Sequence, residues 1–255
     1  MLKVTPLASG SKGNCTWIEN DEAAFVIDCG LSCKALLKRV EEEGLNIAKL
    51  RGVLVTHEHT DHSSGLRVTS NKLDIPVYCN ANTAAVLRQK NRLGEKTVIF
   101  ENGNAFFLYG IEFLPFTIPH DAVDTVAYTM LYQGYKVAIA TDFGFPSELV
   151  KEQLKGCDTL VLECNYDQAT LMATGRPWRL IQRIMSRHGH LSNEQSMELL
   201  SDIHHEGLKE LYIGHISEEA NDYNLVEVTV NKTLQKLGRT DLQPQILRRY
   251  GLAMA

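Results

Sequence analysis

The 255-residue chain has no basic excess: 26 lysines and arginines stand against 31 aspartates and glutamates, a formal net charge of −5. That excludes a protein that coats nucleic acid or an anionic membrane by overall charge, so any polyanion must be held locally. No stretch approaches the roughly 18 consecutive apolar residues of a membrane-spanning helix. The cleanest apolar runs, residues 23–27 and 137–140, have the length of strands. The opening residues hold no apolar core of signal-peptide length. Six cysteines (Cys15, Cys29, Cys33, Cys79, Cys157, Cys164) occur without a C-x-x-C pair or zinc-finger spacing. A cytoplasmic protein with reduced, mostly buried thiols is therefore expected. Also missing are a Pro/Gly/Ser-rich linker, an internal repeat and a block of like charge, so one domain over residues 1–255 is expected. With 44% hydrophobic and 22% charged residues, that domain should bury a real core.

What is present reads as short strands interleaved with helices. Strands are expected at 3–7, 16–19 and 24–28, with a glycine-rich turn at 9–14. Ser32 caps an amphipathic helix to about residue 43, closed by Gly44, and 53–55 is a fully apolar strand. A helix at 82–89 precedes strands at 97–100, 105–108, 111–117, 126–131 and 136–140, read together as a β-meander. Helix 147–154, strand 159–163, helices 177–187 and 192–206, strand 211–214, helix 221–237 and strand 243–248 follow. Meandering strands with helices on their outer faces favour an α/β fold of the four-layer αββα sandwich type, with mixed sheets, over a doubly wound parallel sheet.

Nine histidines are the notable count, and their placement is uneven. His57-Glu-His59-Thr-Asp61-His62 follows the apolar strand directly. Imidazoles at i and i+2, then a carboxylate and an imidazole at i+4 and i+5, cannot all face one way in a single strand or helix. A loop opening into a helix can point His57 and His59 at one ion and Asp61 and His62 at another. This mix of N and O donors suits zinc, manganese or iron. Two ions need further ligands, and His120, Asp142 and His215 each lie just past the end of an apolar strand, where loops collect active-site groups. The natural division sets His57, His59 and His120 on one cation and Asp61, His62 and His215 on the other, with Asp142 bridging.

H-x-H-x-D-H followed by separate His, Asp and His resembles the metallo-β-lactamase superfamily over nearly the whole chain. The pieces Ser9-Gly-Ser-Lys-Gly-Asn14, Ile27-Asp-Cys-Gly30, His120-Asp-Ala122, Thr141-Asp142, Leu162-Glu-Cys-Asn-Tyr-Asp167, Gly189-His-Leu-Ser-Asn-Glu194 and Gly214-His-Ile-Ser-Glu-Glu219 resemble its YycJ (WalJ)-like branch. The resemblance implies an αββα sandwich, a binuclear site at its edge and phosphodiester hydrolysis, with 5′-exonuclease action on DNA. Two divalent ions, zinc or manganese, about 3.5–4 Å apart can hold a hydroxide and clamp the attacking and leaving oxygens of an in-line displacement. His190 resembles the non-ligand histidine that related phosphodiesterases and tRNase Z-like enzymes carry, and would act as general acid. Asp61 and His190 are thus the residues assigned to catalysis.

A nucleic-acid substrate is favoured independently by Arg176, Arg179, Arg183 and Arg187, which form one stripe on a helix with no carboxylate from 175 to 193. Arg183 is the leading phosphate contact, with Arg187 and Arg179 beside it. Ser11 and Asn14, in a loop whose glycines let backbone N–H groups approach an anion, and Ser192 are further substrate candidates; Ser192 reads equally well as a helix cap. Asp28 and Asp121 are expected to orient ligand histidines. Trp178 and Tyr166 are candidates for base stacking or for core packing. Two rivals stand beside the DNA exonuclease: a hydrolase of small cyclic phosphodiesters, thioesters or lactams, and a non-catalytic nucleic-acid-binding or regulatory module.

Overall fold

The computed structural model describes residues 1–248 and 251–252. Its first sheet is built from β1 (Lys3–Ala8), β2 (Cys15–Glu19), β3 (Ala24–Ile27), β4 (Leu50–Leu54), β5 (Val77–Asn80) and β6 (Thr97–Phe100), in that order. The first three pair antiparallel and the rest parallel. The second sheet runs β14-β13-β12-β11-β10-β9-β8-β7. Its members are β7 (Phe106–Leu108), β8 (Ile111–Thr117), β9 (Val126–Tyr132), β10 (Tyr135–Ala140), β11 (Thr159–Glu163), β12 (Glu210–Gly214), β13 (Gln245–Arg248) and β14 (Gly251–Leu252).

Each central strand buries both faces, which is why it reads as an unbroken apolar run rather than an alternation. In β3, Phe25 and Ile27 face the second sheet while Ala24 and Val26 face helices; in β10, Val137 and Ile139 face inward while Ala138 and Ala140 face helices. The inter-sheet layer includes Phe25, Phe113, Tyr128 and Tyr212. Outside the first sheet, α1 (Cys33–Glu42), α3 (Leu66–Leu73) and α4 (Ala81–Gln89) bury Leu36, Val40, Leu66 and Leu87 against Trp17 and Val53. Outside the second, α5 (Glu148–Leu154), α8 (Asn193–Ile203) and α9 (Tyr223–Lys236) bury Val150, Leu154, Leu200, Val226 and Val230. The layers are helix, sheet, sheet, helix, the expected αββα sandwich. No helix among the described residues is long and apolar enough to cross a membrane, and the six cysteines are free and buried.

The structure corrects several boundaries. Residues 97–100 leave the meander: β6 pairs parallel with β5 at the edge of the first sheet. β5 itself was not marked in the sequence, because four residues directly after Pro76 carry no period. The helices α2 (Thr60–Ser63) and α6 (Gln168–Ala173) are too short for an apolar stripe. The helix expected over 177–187 is α7 (Trp178–Ile184). It stops because the chain folds back on itself, with His190 N donating to Ile184 O at 2.9 Å. Gly189 permits the turn, since a Cβ there would lie 2.1 Å from that same carbonyl.

Close backbone approach also fixes the loop after β4. Asn14 N donates to Asp61 O at 2.7 Å and Gly30 N to Asn14 O at 2.9 Å, and a Cβ on Gly30 would stand 1.7 Å from the Asp61 carbonyl. Backbone cannot yield there as a flexible side chain can. Gly30→Ala should cost about 1–3 kcal/mol through overpacking. Differential scanning calorimetry should show a melting point lowered by several degrees, and titration a weakened divalent-cation affinity; an unchanged melting point would refute the clasp.

Candidate metal centre

The two sheets present their strand C-termini along one edge. β8 and β10 are both antiparallel to β9, so both end there, and β11 and β12 run parallel to β10. His57 follows β4, His120 follows β8, Asp142 follows β10, Glu163 ends β11 and His215 follows β12. Thr60 opens α2 immediately after His59, and this one-turn helix turns Asp61 and His62 inward while His57 and His59 remain in the extended segment. Asp28, Asp142 and His215, each just past a strand end, have positive φ of 62°, 65° and 51°. Asp and His enter that sparsely populated region more readily than most residues, and here three such turns stand together at one edge.

All seven residues expected as ligands converge. Ligand atoms of His57, His59 and His120 lie within 4.8 Å of one another, as do those of His57, His62 and Asp142, and those of Asp61, His62 and His215. Asp142 stands between them, its Oδ2 3.2 Å from His62 Nε2 and its Oδ1 3.3 Å from His215 Nε2 and 3.9 Å from His120 Nε2. Asp142, His190 and His215 form a further such trio. His57 Nε2, His215 Nε2 and Asp142 Oδ2 are buried without a hydrogen-bond partner among the described residues. Buried polar atoms are normally satisfied, and a set of lone pairs and a carboxylate turned toward one another fits divalent cations.

In three of the rings the second nitrogen explains the direction of the first. Thr56 Oγ1 donates to Asp28 Oδ2 at 2.8 Å and therefore accepts from His57 Nδ1 at 2.9 Å. His62 Nδ1 donates to Asp28 Oδ2 at 2.7 Å, and His120 Nδ1 to Gly189 O at 3.1 Å. These partners assign the proton to Nδ1 and turn the Nε2 lone pair toward the centre, where that of His62 accepts from the Asn14 amide at 2.9 Å, the arrangement by which outer groups set the tautomer of a metal-binding histidine. Burial pushes the imidazoles of His57 and His120 below their ordinary pKa, toward the neutral ligand form. Burial also lowers His62, but Asp142, Asp28 and Asp61 outweigh it and raise it well above the ordinary value. Protons and cations thus compete for that ring.

Glu163 is the residue that sequence reasoning missed. Fully buried, it accepts from His190 Nδ1 at 2.7 Å through Oε1, and through Oε2 from the backbone N–H of Asp142 at 2.6 Å and of Phe143 at 3.1 Å. One carboxylate thereby anchors His190 and the left-handed turn at Asp142. Its signal was an acid closing an otherwise apolar strand, Thr-Leu-Val-Leu-Glu, where a buried charge demands several donors. Burial depresses the His190 pKa, but Glu163 and Asp142 overcome this and hold the imidazole above its ordinary value.

The expected substrate residues are divided. Ser11 and Arg183 line the cleft with His59, Asp61, His120, Asp142, His190 and His215. Arg183 Nε donates to Asp121 Oδ2, and the other oxygen of Asp121 lies 3.4 Å from His120 Nε2. Arg179 is exposed on α7. Arg187 leaves the stripe, because α7 ends at Ile184, and its guanidinium sits 3.8 Å from the centre of the Phe145 ring. The arginines are not free of carboxylates either, since the fold brings Glu219 to Arg176 and Asp121 to Arg183. Asn14 is buried, its amide 2.9 Å from His62 Nε2 and its Oδ1 accepting from Gly10 N, so it braces the loop rather than facing a substrate. Ser192 spends its hydroxyl on Gln195 N in a capping box that starts α8. Trp178 is exposed and Tyr166 is buried.

Against known proteins, the family model described as a Beta-lactamase superfamily domain matches residues 24–216. The chain belongs to that superfamily. It is 34% identical over 239 residues to Exodeoxyribonuclease YycJ of Bacillus anthracis, covering 93% of this chain and 90% of that protein. It is 32% identical over 245 residues to Exodeoxyribonuclease WalJ of Streptococcus pneumoniae serotype 2 strain D39, covering 94% and 90%. Within the superfamily it is therefore a member of the YycJ/WalJ family. Among solved structures, the metallo-β-lactamase fold protein YhfI from Bacillus subtilis superposes with a TM-score of 0.74 at 15% identity, over 98% of this chain and 97% of that one, which bears on the fold.

Asp28 does not line the cleft yet orients His62, so Asp28→Asn should weaken divalent-cation binding about 10- to 100-fold in calorimetric titration. Wild-type affinity in that variant would detach Asp28 from the centre.

Proposed function

We propose that this chain is a dinuclear, metal-dependent phosphodiesterase that degrades nucleic acid, and specifically a 5′-to-3′ DNA exonuclease of the cytoplasm. The observation that carries the reading is that His215 Nε2 and Asp142 Oδ2, buried without a hydrogen-bond partner among the described residues, meet His190 in one cleft, with the equally unpartnered Nε2 of His57 grouped on Asp142 from beneath. The exodeoxyribonuclease names of relatives matched along nearly the whole chain support the substrate.

In this reading His57, His59 and His120 hold one cation, Asp61, His62 and His215 hold the other, and Asp142 lies between; zinc and manganese both suit the donors. Bound there, the ions supply Lewis acidity toward water and phosphate and the positive charge that a chain of net −5 lacks. His190, protonated against Glu163 through Nδ1, donates from Nε2 to the departing oxygen. Asp61 and Asp142 fix the two halves of the centre relative to each other. Arg183 exchanges Asp121 for a phosphate oxygen, a charge-assisted contact of higher strength than its exposed ion pair, and Arg179 follows the strand along α7. Ser11 offers a hydroxyl at the opposite lip. Hydrolysis of a small thioester or lactam gives these arginines no task, and a silent binding module gives none to the His190–Glu163 pair.

End-labelled single- and double-stranded DNA, incubated with metal-stripped protein restored with zinc or manganese, should release mononucleotides from the 5′ end. Intact polymer alongside hydrolysis of S-lactoylglutathione would overturn the proposal. His190→Ala should lower kcat about 10²- to 10⁴-fold while retaining both ions by elemental analysis; loss of an ion would instead make His190 a ligand.

A further inference from the structure

Beside the metal cleft lies a second, larger groove of about 600 Å³, and His120 lines both. Its walls include Ile118, Val123, Thr125, Phe145, Leu149 and Arg187. Three large apolar side chains of the surface meet there, with Val123 48%, Phe145 37% and Leu149 50% exposed. Thr125, 2% exposed, has a hydroxyl without a partner among the described residues.

The groove is built, not incidental. A Cβ on Gly144 would lie 2.1 Å from Ser186 O and 2.7 Å from Gly189 N, so the segment carrying Phe145 is pressed onto the turn carrying Arg187. That contact sets the guanidinium over the ring at 3.8 Å. The opposite wall is tied to the metal loop itself, because Glu58, between His57 and His59, accepts from Val123 N at 3.2 Å. The carboxylate of Asp124, also in this wall, accepts from the side-chain amides of Asn82 and Asn102, which hold it away from Arg187, whose guanidinium is engaged with the Phe145 ring.

An aromatic ring stacked with a guanidinium, amid apolar side chains and next to a phosphodiester site, is the surface on which single-stranded nucleic acid lays an unstacked base. We propose that this groove binds the nucleobase adjacent to the scissile phosphate, stacked on the Phe145–Arg187 pair. The proposal rests on the nuclease reading and deepens it. Base stacking tolerates any base, so the groove confers grip on a strand rather than sequence preference, and it requires the strand to be unpaired at that position.

The test compares an intact 5′-phosphorylated single strand with the same strand carrying stable abasic residues at successive positions, for the metal-loaded wild type, Phe145→Ala and Phe145→Trp. KM and kcat are measured, and metal content is checked for each variant. The wild type should show a KM raised about tenfold or more when one position near the cleaved bond is abasic. Phe145→Ala should lose that discrimination and Phe145→Trp should keep it. Discrimination that persists in Phe145→Ala, or a variant that has lost its metal, overturns the groove while DNA cleavage by the wild type leaves the nuclease reading intact. A wild type that cleaves no DNA overturns both.

Discussion

Imidazoles packed against one another in a protein interior have nothing to gain from proximity unless each ring is told which nitrogen to turn inward. That instruction is a layer of buried acceptors. Asp28 directs His62 itself and His57 through Thr56, the Gly189 carbonyl directs His120, and Glu163 directs His190. The acceptors are in turn held by backbone amides, as Thr56 N holds Asp28 Oδ1 at 2.8 Å and Asp142 N holds Glu163. The tight turns, the left-handed residues and the bare Gly30 are what such a layer requires, because each acceptor must stand at a fixed distance from a ring on another strand. Orientation, more than ligand identity, is therefore what this fold supplies.

Much of this was legible in the sequence. Apolar strands ending in His or Asp marked His57, His120, Asp142 and His215, since rigid strands deliver loop groups to a common edge. Charge arrangement was less legible. A stripe of arginines reads as unpaired when only neighbours along the chain are considered, yet Glu219 and Asp121 arrive from distant loops. Arg187 was misplaced for a related reason: helix periodicity continues on paper past Ile184, and only the close packing of Gly144 on Gly189 reveals the turn. Glu163 carried only the weak signal of an acid closing an apolar strand, which also fits a solvated strand end until the donors converging on it are in view.

The same limits explain why the apolar groove could not be foreseen. Val123 comes from the loop after β8, whereas Phe145 and Leu149 come from the turn and first residues leading into α5, and neither Val123 nor Phe145 sits in a periodic pattern that would mark it as interior or as surface. Their meeting depends on two loops pressed together without side chains between them.

One consequence concerns durability. The candidate ligands are split between the halves of the sandwich, His57, His59, Asp61 and His62 following the first sheet and His120, Asp142 and His215 following the second. An ion shared across that seam works as a rivet, and its contribution to folding grows with the logarithm of free cation concentration. With cations held as proposed, the lifetime of the folded chain would be tied to the metal supply of its surroundings, since scarcity would both silence the protein and expose the seam to proteolysis.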